Sequence, residues 1–160
     1  MLDHVIFCRG HSLLSRLIMA ITGEKVSHVA LSFGPFVVHS VLLGVQTTYW
    51  LSFEKKYTVE AMLTPPEPVS VDIDSIVERY DGSPYDFGGL LYLGLYYFCK
   101  NRLGLRIPGG NYWASKRHFM CTEFASQVLE SQQESMVSPK DLERLLVKKG
   151  FRYVTSKQRI

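Results

Sequence analysis

The sequence predicts an α+β fold built as one domain over residues 1–160. Three observations point there. Segments that alternate apolar and polar residues are interspersed with segments of helical spacing, without a regular strand–helix–strand rhythm. Hydrophobic residues make up 46% of the chain and charged residues 21%, which gives one substantial core and excludes a disordered chain. No internal repeat or low-complexity tract divides the sequence. The one proline cluster, Thr64-Pro65-Pro66-Glu67-Pro68, reads as a rigid surface connection, because too few residues flank it for two separate cores.

Val5 to Phe7 reads as a short strand. Ser12 caps a helix on which Leu13, Leu14, Leu17, Ile18 and Ile21 follow at helical spacing, and Gly23 stands where a C-terminal glycine belongs. Val26 to Phe33 alternates as a strand, Gly34-Pro35 breaks it, and Phe36 to Val41 reads as the return strand. Tyr57 to Met62 and Val69 to Ile73 are further strands, and Ser75 to Tyr80 is a short helix ended by Asp81-Gly82. Asp86 to Cys99 is an apolar, aromatic helix loosened by glycines, and Lys100 to Trp113 is loop. From Cys121 to Gln133, the positions Cys121, Phe124, Ala125, Val128, Leu129 and Gln132 lie on one helical face, with Cys121 at the first turn. Ser138, Pro139 and Asp141 start a last helix with Leu142, Leu145 and Leu146 as its stripe; Gly150 stops it, and Phe151 to Thr155 is a closing strand.

Composition removes several classes of function. Eighteen Lys and Arg against fifteen Asp and Glu leave a net charge of +3, with no basic stripe interleaved with aromatics, so no nucleic-acid partner is expected. Three cysteines cannot all pair, which favours a reducing compartment; with no cleavable signal pattern, cytoplasm is the default expectation. The longest apolar run, Phe87 to Cys99, is shorter than the roughly 20 residues of a membrane span. No metal-ligand spacing or phosphate-binding loop occurs, so neither a metal nor a cofactor is expected. Oligomeric state is not legible.

The residues able to do chemistry fall in the hairpin and at a helix start. With a two- or four-residue loop at Gly34-Pro35, side chains at 28, 30 and 32 share a sheet face with those at 37, 39 and 41. His28 and His39 then become diagonal neighbours; a three-residue loop would change that register. Cys121 opens a helix, where the dipole favours thiolate and a nearby imidazole would favour it further. A third polar group must hold that imidazole's tautomer, and His39 is placed to do so. Cys8 and Cys99 read as core, Lys116-Arg117-His118 as a solvated turn, and His4 and His11 have no matching spacing.

The runs Phe7-Cys8-Arg9-Gly10 to Thr22-Gly23 and Val26-Ser27-His28-Val29-Ala30-Leu31 resemble the opening of circularly permuted NlpC-type cysteine hydrolases. That group is the YiiX-like branch of the papain-like superfamily, which also includes the lecithin:retinol acyltransferase relatives. Phe119-Met120-Cys121-Thr122-Glu123-Phe124 resembles the branch's cysteine motif. Ser83-Pro84-Tyr85-Asp86-Phe87-Gly88-Gly89 resembles its tyrosine–aspartate segment, and Ser138-Pro139 with Asp141-Leu142 the stretch that often follows. The resemblance spans about residues 5 to 155 and rests on four motifs in order, with the histidine ahead of the cysteine as in the permuted branch.

It implies a permuted papain-like fold, a small antiparallel sheet or barrel packed against helices. It implies Cys121 as nucleophile, His28 as general base and His39 as third member. Tyr85 would line the substrate pocket or help bind the oxyanion, for which the Cys121 backbone N–H is also a donor. The reaction implied is acyl transfer through a thioester, on a small amide- or ester-bearing substrate such as a cell-wall peptide or an acylated amine. Two alternatives stay open: a lipid-directed acyltransferase or lipase, with Phe87 to Phe98 lining an acyl channel, and a non-catalytic binding module on the same scaffold.

Overall fold

The computed structural model describes residues 1–80, 87–99, 103–104, 121–129 and 138–154. Along the chain these form β1 (His4–Gly10), α1 (Leu13–Thr22), β2 (His28–Phe33), β3 (Phe36–Val41), β4 (Gly44–Tyr49) and α2 (Trp50–Glu54). β5 (Tyr57–Thr64), α3 (Ile73–Tyr80), α4 (Phe87–Phe98), α5 (Cys121–Val128), α6 (Pro139–Lys148) and β6 (Arg152–Tyr153) follow. The fold is mixed α and β. Its strands make one antiparallel sheet in the order β4-β3-β2-β1-β5-β6.

β1 lies between β2 and β5, and both faces of the sheet are covered there, which is why β1 and β2 are nearly continuous in apolar residues. On one face Val5, Phe7, Val29 and Leu31 pack with Ile76 of α3, Phe124 and Val128 of α5, and Leu142 and Leu146 of α6. On the other, Ile6, Cys8, Ala30 and Val37 pack with Phe53 of α2 and Met62 of β5, flanked by Trp50, Tyr57 and Val59. Phe53 is fully buried, so the single turn of α2 anchors the second layer.

The helix boundaries follow from capping. Ser12 accepts from the Ser15 N–H at 3.2 Å, and Gly23 (φ 72°) ends α1 with its N–H bonded to the Met19 carbonyl at 2.9 Å. Ser138 accepts from the Asp141 N–H at 3.1 Å and donates to Glu24 Oε1 at 2.6 Å, which ties the start of α6 to the chain after α1. The β2–β3 turn is the two-residue form. Gly34 takes the positive φ (55°) required at its first position, Pro35 follows, and the register runs Phe33↔Phe36, Ser32↔Val37, Leu31↔Val38.

Some expectations change. Val69 to Ile73 is not a strand: Val69 makes one isolated bridge to Leu2, and Val69, Val71 and Ile73 instead lay partly buried side chains on the core. β4 and α2 were not foreseen, and β1 and β5 run longer than expected. The closing strand, expected over Phe151 to Thr155, is confined to Arg152–Tyr153, with Phe151 and Val154 outside the ladder. The end of the Cys121 helix beyond residue 129, Thr155, and the loop expected over 100–113 except for residues 103 and 104 lie outside the described residues. Among the described residues no helix is long and apolar enough to cross a membrane.

Candidate active site

His28 is the first residue of β2 and His39 is the fourth of β3. The two-residue turn puts both on the α2 face of the sheet, beyond the Leu31↔Val38 pair. There His28 Nε2 and His39 Nδ1 lie 2.9 Å apart and share one hydrogen. The rings meet edge to face, with centroids 5.2 Å apart. Tyr57, the first residue of β5, stacks on His28 at 5.0 Å and presents its ring to the edge of His39 at 5.6 Å. Phe53 stacks on Tyr57 at 4.6 Å and meets His39 edge to face at 5.4 Å. The two imidazoles therefore sit in an aromatic box whose walls come from β5 and α2.

This enclosure decides their charge. Burial holds the His28 pKa well below the ordinary imidazole value, and the His39 ring pushes the same way. His39 is lowered to about 4, by burial first and by the charge of Lys56 second. Both rings are neutral at pH 7.

Cys121 begins α5 and is 6% exposed. It belongs to the cluster on the helical face of the sheet, and its sulfur receives the backbone N–H of Val29, the residue after His28. The N–H groups of Thr122 and of Cys121 itself also turn toward it. All three favour thiolate, as expected at a helix start, but burial outweighs them and, with the Glu123 charge opposing ionisation, pushes the thiol up to about 11. The expected thiolate is thus absent at rest: helix position alone ignores the removal of solvent, which here has the larger effect.

Two further groups feel the charge of that sulfur. Cys8 stands opposite His28 in the β1–β2 register, and its thiol points to the His28 carbonyl at 3.7 Å. Burial, then Cys121, then Glu60 raise its pKa well above the ordinary thiol value. Tyr57 is pushed up to about 12, by burial first and then by the Cys8 and Cys121 sulfurs. Tyr57 therefore stacks on the histidine while sensing the cysteine. Its part was missed because β1 separates β5 from β2 in the sheet, and only that strand order brings position 57 to position 28.

The structure joins His28 directly to His39 and turns the Val29 amide toward Cys121, but among the described contacts none joins the Cys121 sulfur to the His28 ring; Tyr85 lies outside the described residues. A cavity of about 350 Å³ opens on the histidine pair, lined there by Ser27, His28, His39, Phe53 and Tyr57; Cys121 is not among its described lining residues. Among the described residues no group of three or more His, Cys, Asp or Glu is placed to hold a metal ion. No protein-family model matches the chain, and no curated protein matches it.

Proposed function

We propose that the chain is a cysteine hydrolase that cleaves an amide or ester bond through a thioester, on a permuted papain-like scaffold. The observation that carries this reading is the buried His28 Nε2–His39 Nδ1 contact, one residue from the backbone N–H that faces the Cys121 sulfur. With Nε2 of His28 donating to His39 Nδ1, the lone pair of His28 Nδ1 is left to act as base. In this reading that nitrogen, from the α2 face, reaches past the first residue of β2 to take the proton of Cys121, which packs on the helical face, as sulfur attacks the carbonyl carbon. The oxyanion is held by backbone N–H groups at the start of α5.

The carbon–nitrogen or carbon–oxygen bond then breaks, and imidazolium His28 gives its proton to the leaving group. Water, deprotonated by His28, opens the thioester and frees the acid and the thiol. Tyr85 keeps the substrate-lining role implied by the resemblance. A small amide- or ester-bearing molecule is the proposed substrate, and the three unpaired cysteines support a reducing, cytoplasmic setting.

Leucines beside the histidine cavity favour a second reading, an acyltransferase that hands the acyl group to an amine or alcohol. Cys121→Ala should abolish turnover of p-nitrophenyl esters and p-nitroanilides with the fold intact by circular dichroism. Retained turnover overturns both readings.

A further inference from the structure

The cavity at the histidine pair has walls of two kinds. Leu14 and Ile18 of α1 and Leu42 and Leu43 of the β3–β4 turn give apolar surface. Leu43 stays 86% exposed, so the apolar wall reaches solvent at the β3–β4 turn. The rest of the described lining, Val41 and Lys56 apart, is hydroxyl, amide, imidazole and aromatic. Lys56, in the link between α2 and β5, is the one formal charge among the described lining residues.

No ion pair joins Lys56 to a carboxylate among the described residues. Its charge nevertheless reaches into the site, since it lowers the pKa of His39. A cation facing a cavity that has no described acidic group attracts an anion, and an apolar wall attracts hydrocarbon.

We infer that this cavity takes an anionic amphiphile, with the carboxylate or phosphate at Lys56 and the hydrocarbon along Leu14, Ile18 and Leu42. As a statement of substrate class this rests on the hydrolase reading and makes the substrate an acylated anion; as a binding site it stands without that reading.

The test uses binding as well as turnover. Decanoate and neutral decyl maltoside, each below its micellar concentration, are titrated into the ¹⁵N-labelled protein and into Lys56→Gln. The expected result is saturable shifts at Leu14, Ile18, Leu42 and Lys56 with decanoate, with affinity reduced about fivefold or more by Lys56→Gln or by the neutral head group. Bound anion also offsets the Lys56 charge, so the His39 pKa rises from about 4. Absence of shifts, equal affinity for the two amphiphiles, or an unmoved His39 pKa overturns the inference. Sedimentation with phosphatidylglycerol vesicles without any response to monomeric decanoate overturns it too, since that describes a bilayer contact and not a cavity ligand. Decanoate binding without Cys121-dependent hydrolysis supports the cavity and removes the reaction. Cys121-dependent hydrolysis indifferent to substrate charge and to Lys56→Gln removes this inference alone.

Discussion

Across the β2–β3 hairpin, His28 Nε2 meets His39 Nδ1 at 2.9 Å, away from solvent and against the ring of Tyr57. The contact exists because Gly34 and Pro35 close the hairpin in two residues; a one-residue slip would send one ring to the opposite face. A single hydrogen between two neutral rings fixes the orientation of His28. In the proposed mechanism Nε2 donates to the partner ring, which leaves Nδ1 for proton transfer.

That division predicts unequal losses. His28→Ala should lower kcat/KM on an ester substrate by about 10³-fold, in the range for removal of a general base. His39→Ala should cost less, about 10- to 100-fold, and His39→Gln, which still offers a hydrogen-bonding side chain, less again. Steady-state kinetics of the three variants decides it: a larger loss at His39 would exchange the two roles.

The thiol of Cys121, pushed up to about 11 by burial, predicts alkylation that follows hydroxide concentration. Iodoacetamide labelling of the native protein, read cysteine by cysteine by mass spectrometry, should be slow near neutral pH and rise about tenfold per pH unit from about pH 8 to 10. A rate already level at pH 7 would show a stable thiolate and contradict the neutral resting state.

The histidine pair also sets acid stability. His39 has a folded pKa of about 4 against an ordinary 6.5, so between those values the unfolded chain binds the extra proton. Stability is complete above pH 6.5 and declines as pH falls toward 4, by about 3 kcal/mol for this one group. His28 shifts the same way and adds to the decline. Urea midpoints of wild type and His39→Gln at several pH values check this. The variant should lose less stability over that range, and equal slopes would contradict the assignment.

Much of the framework was legible because short-range chemistry marks it. Ser12 and Gly23 bound α1, Ser138 and Pro139 open α6, and Phe36–Val41 is the return strand as read. What escaped depends on tertiary placement. β4 carries Gln46, Thr47 and Thr48 at the edge of the sheet, with little apolar alternation to betray a strand. α2 is one turn without a side-chain cap, and its burial of Phe53 follows from the sheet beneath it. Val69 and Val71 alternate like a strand, yet their apolar side chains are used in packing and not in a ladder. At the site, hairpin parity gave the His28–His39 neighbourhood. Solvent exclusion at Cys121 and the arrival of Tyr57 needed the whole sheet.

Ser138 tests the frame that holds the helices. It is fully buried, caps α6 and donates to Glu24. Ser138→Ala removes the cap and leaves the Glu24 carboxylate without that donor, at a cost of about 1–3 kcal/mol. Chemical denaturation gives the number; a change below about 0.5 kcal/mol, the level of an ordinary surface substitution, would refute the tie.

The central claim is that the Cys121 sulfur forms the acyl intermediate and that His28 activates it. Intact-mass and peptide-mapping spectrometry after brief mixing with excess p-nitrophenyl decanoate measures this directly. One acyl group is expected on Cys121, none on the Cys121→Ala protein, and acylation slowed about 10³-fold in His28→Ala. An adduct on another residue, or acylation of Cys121 at the same rate without His28, would contradict it.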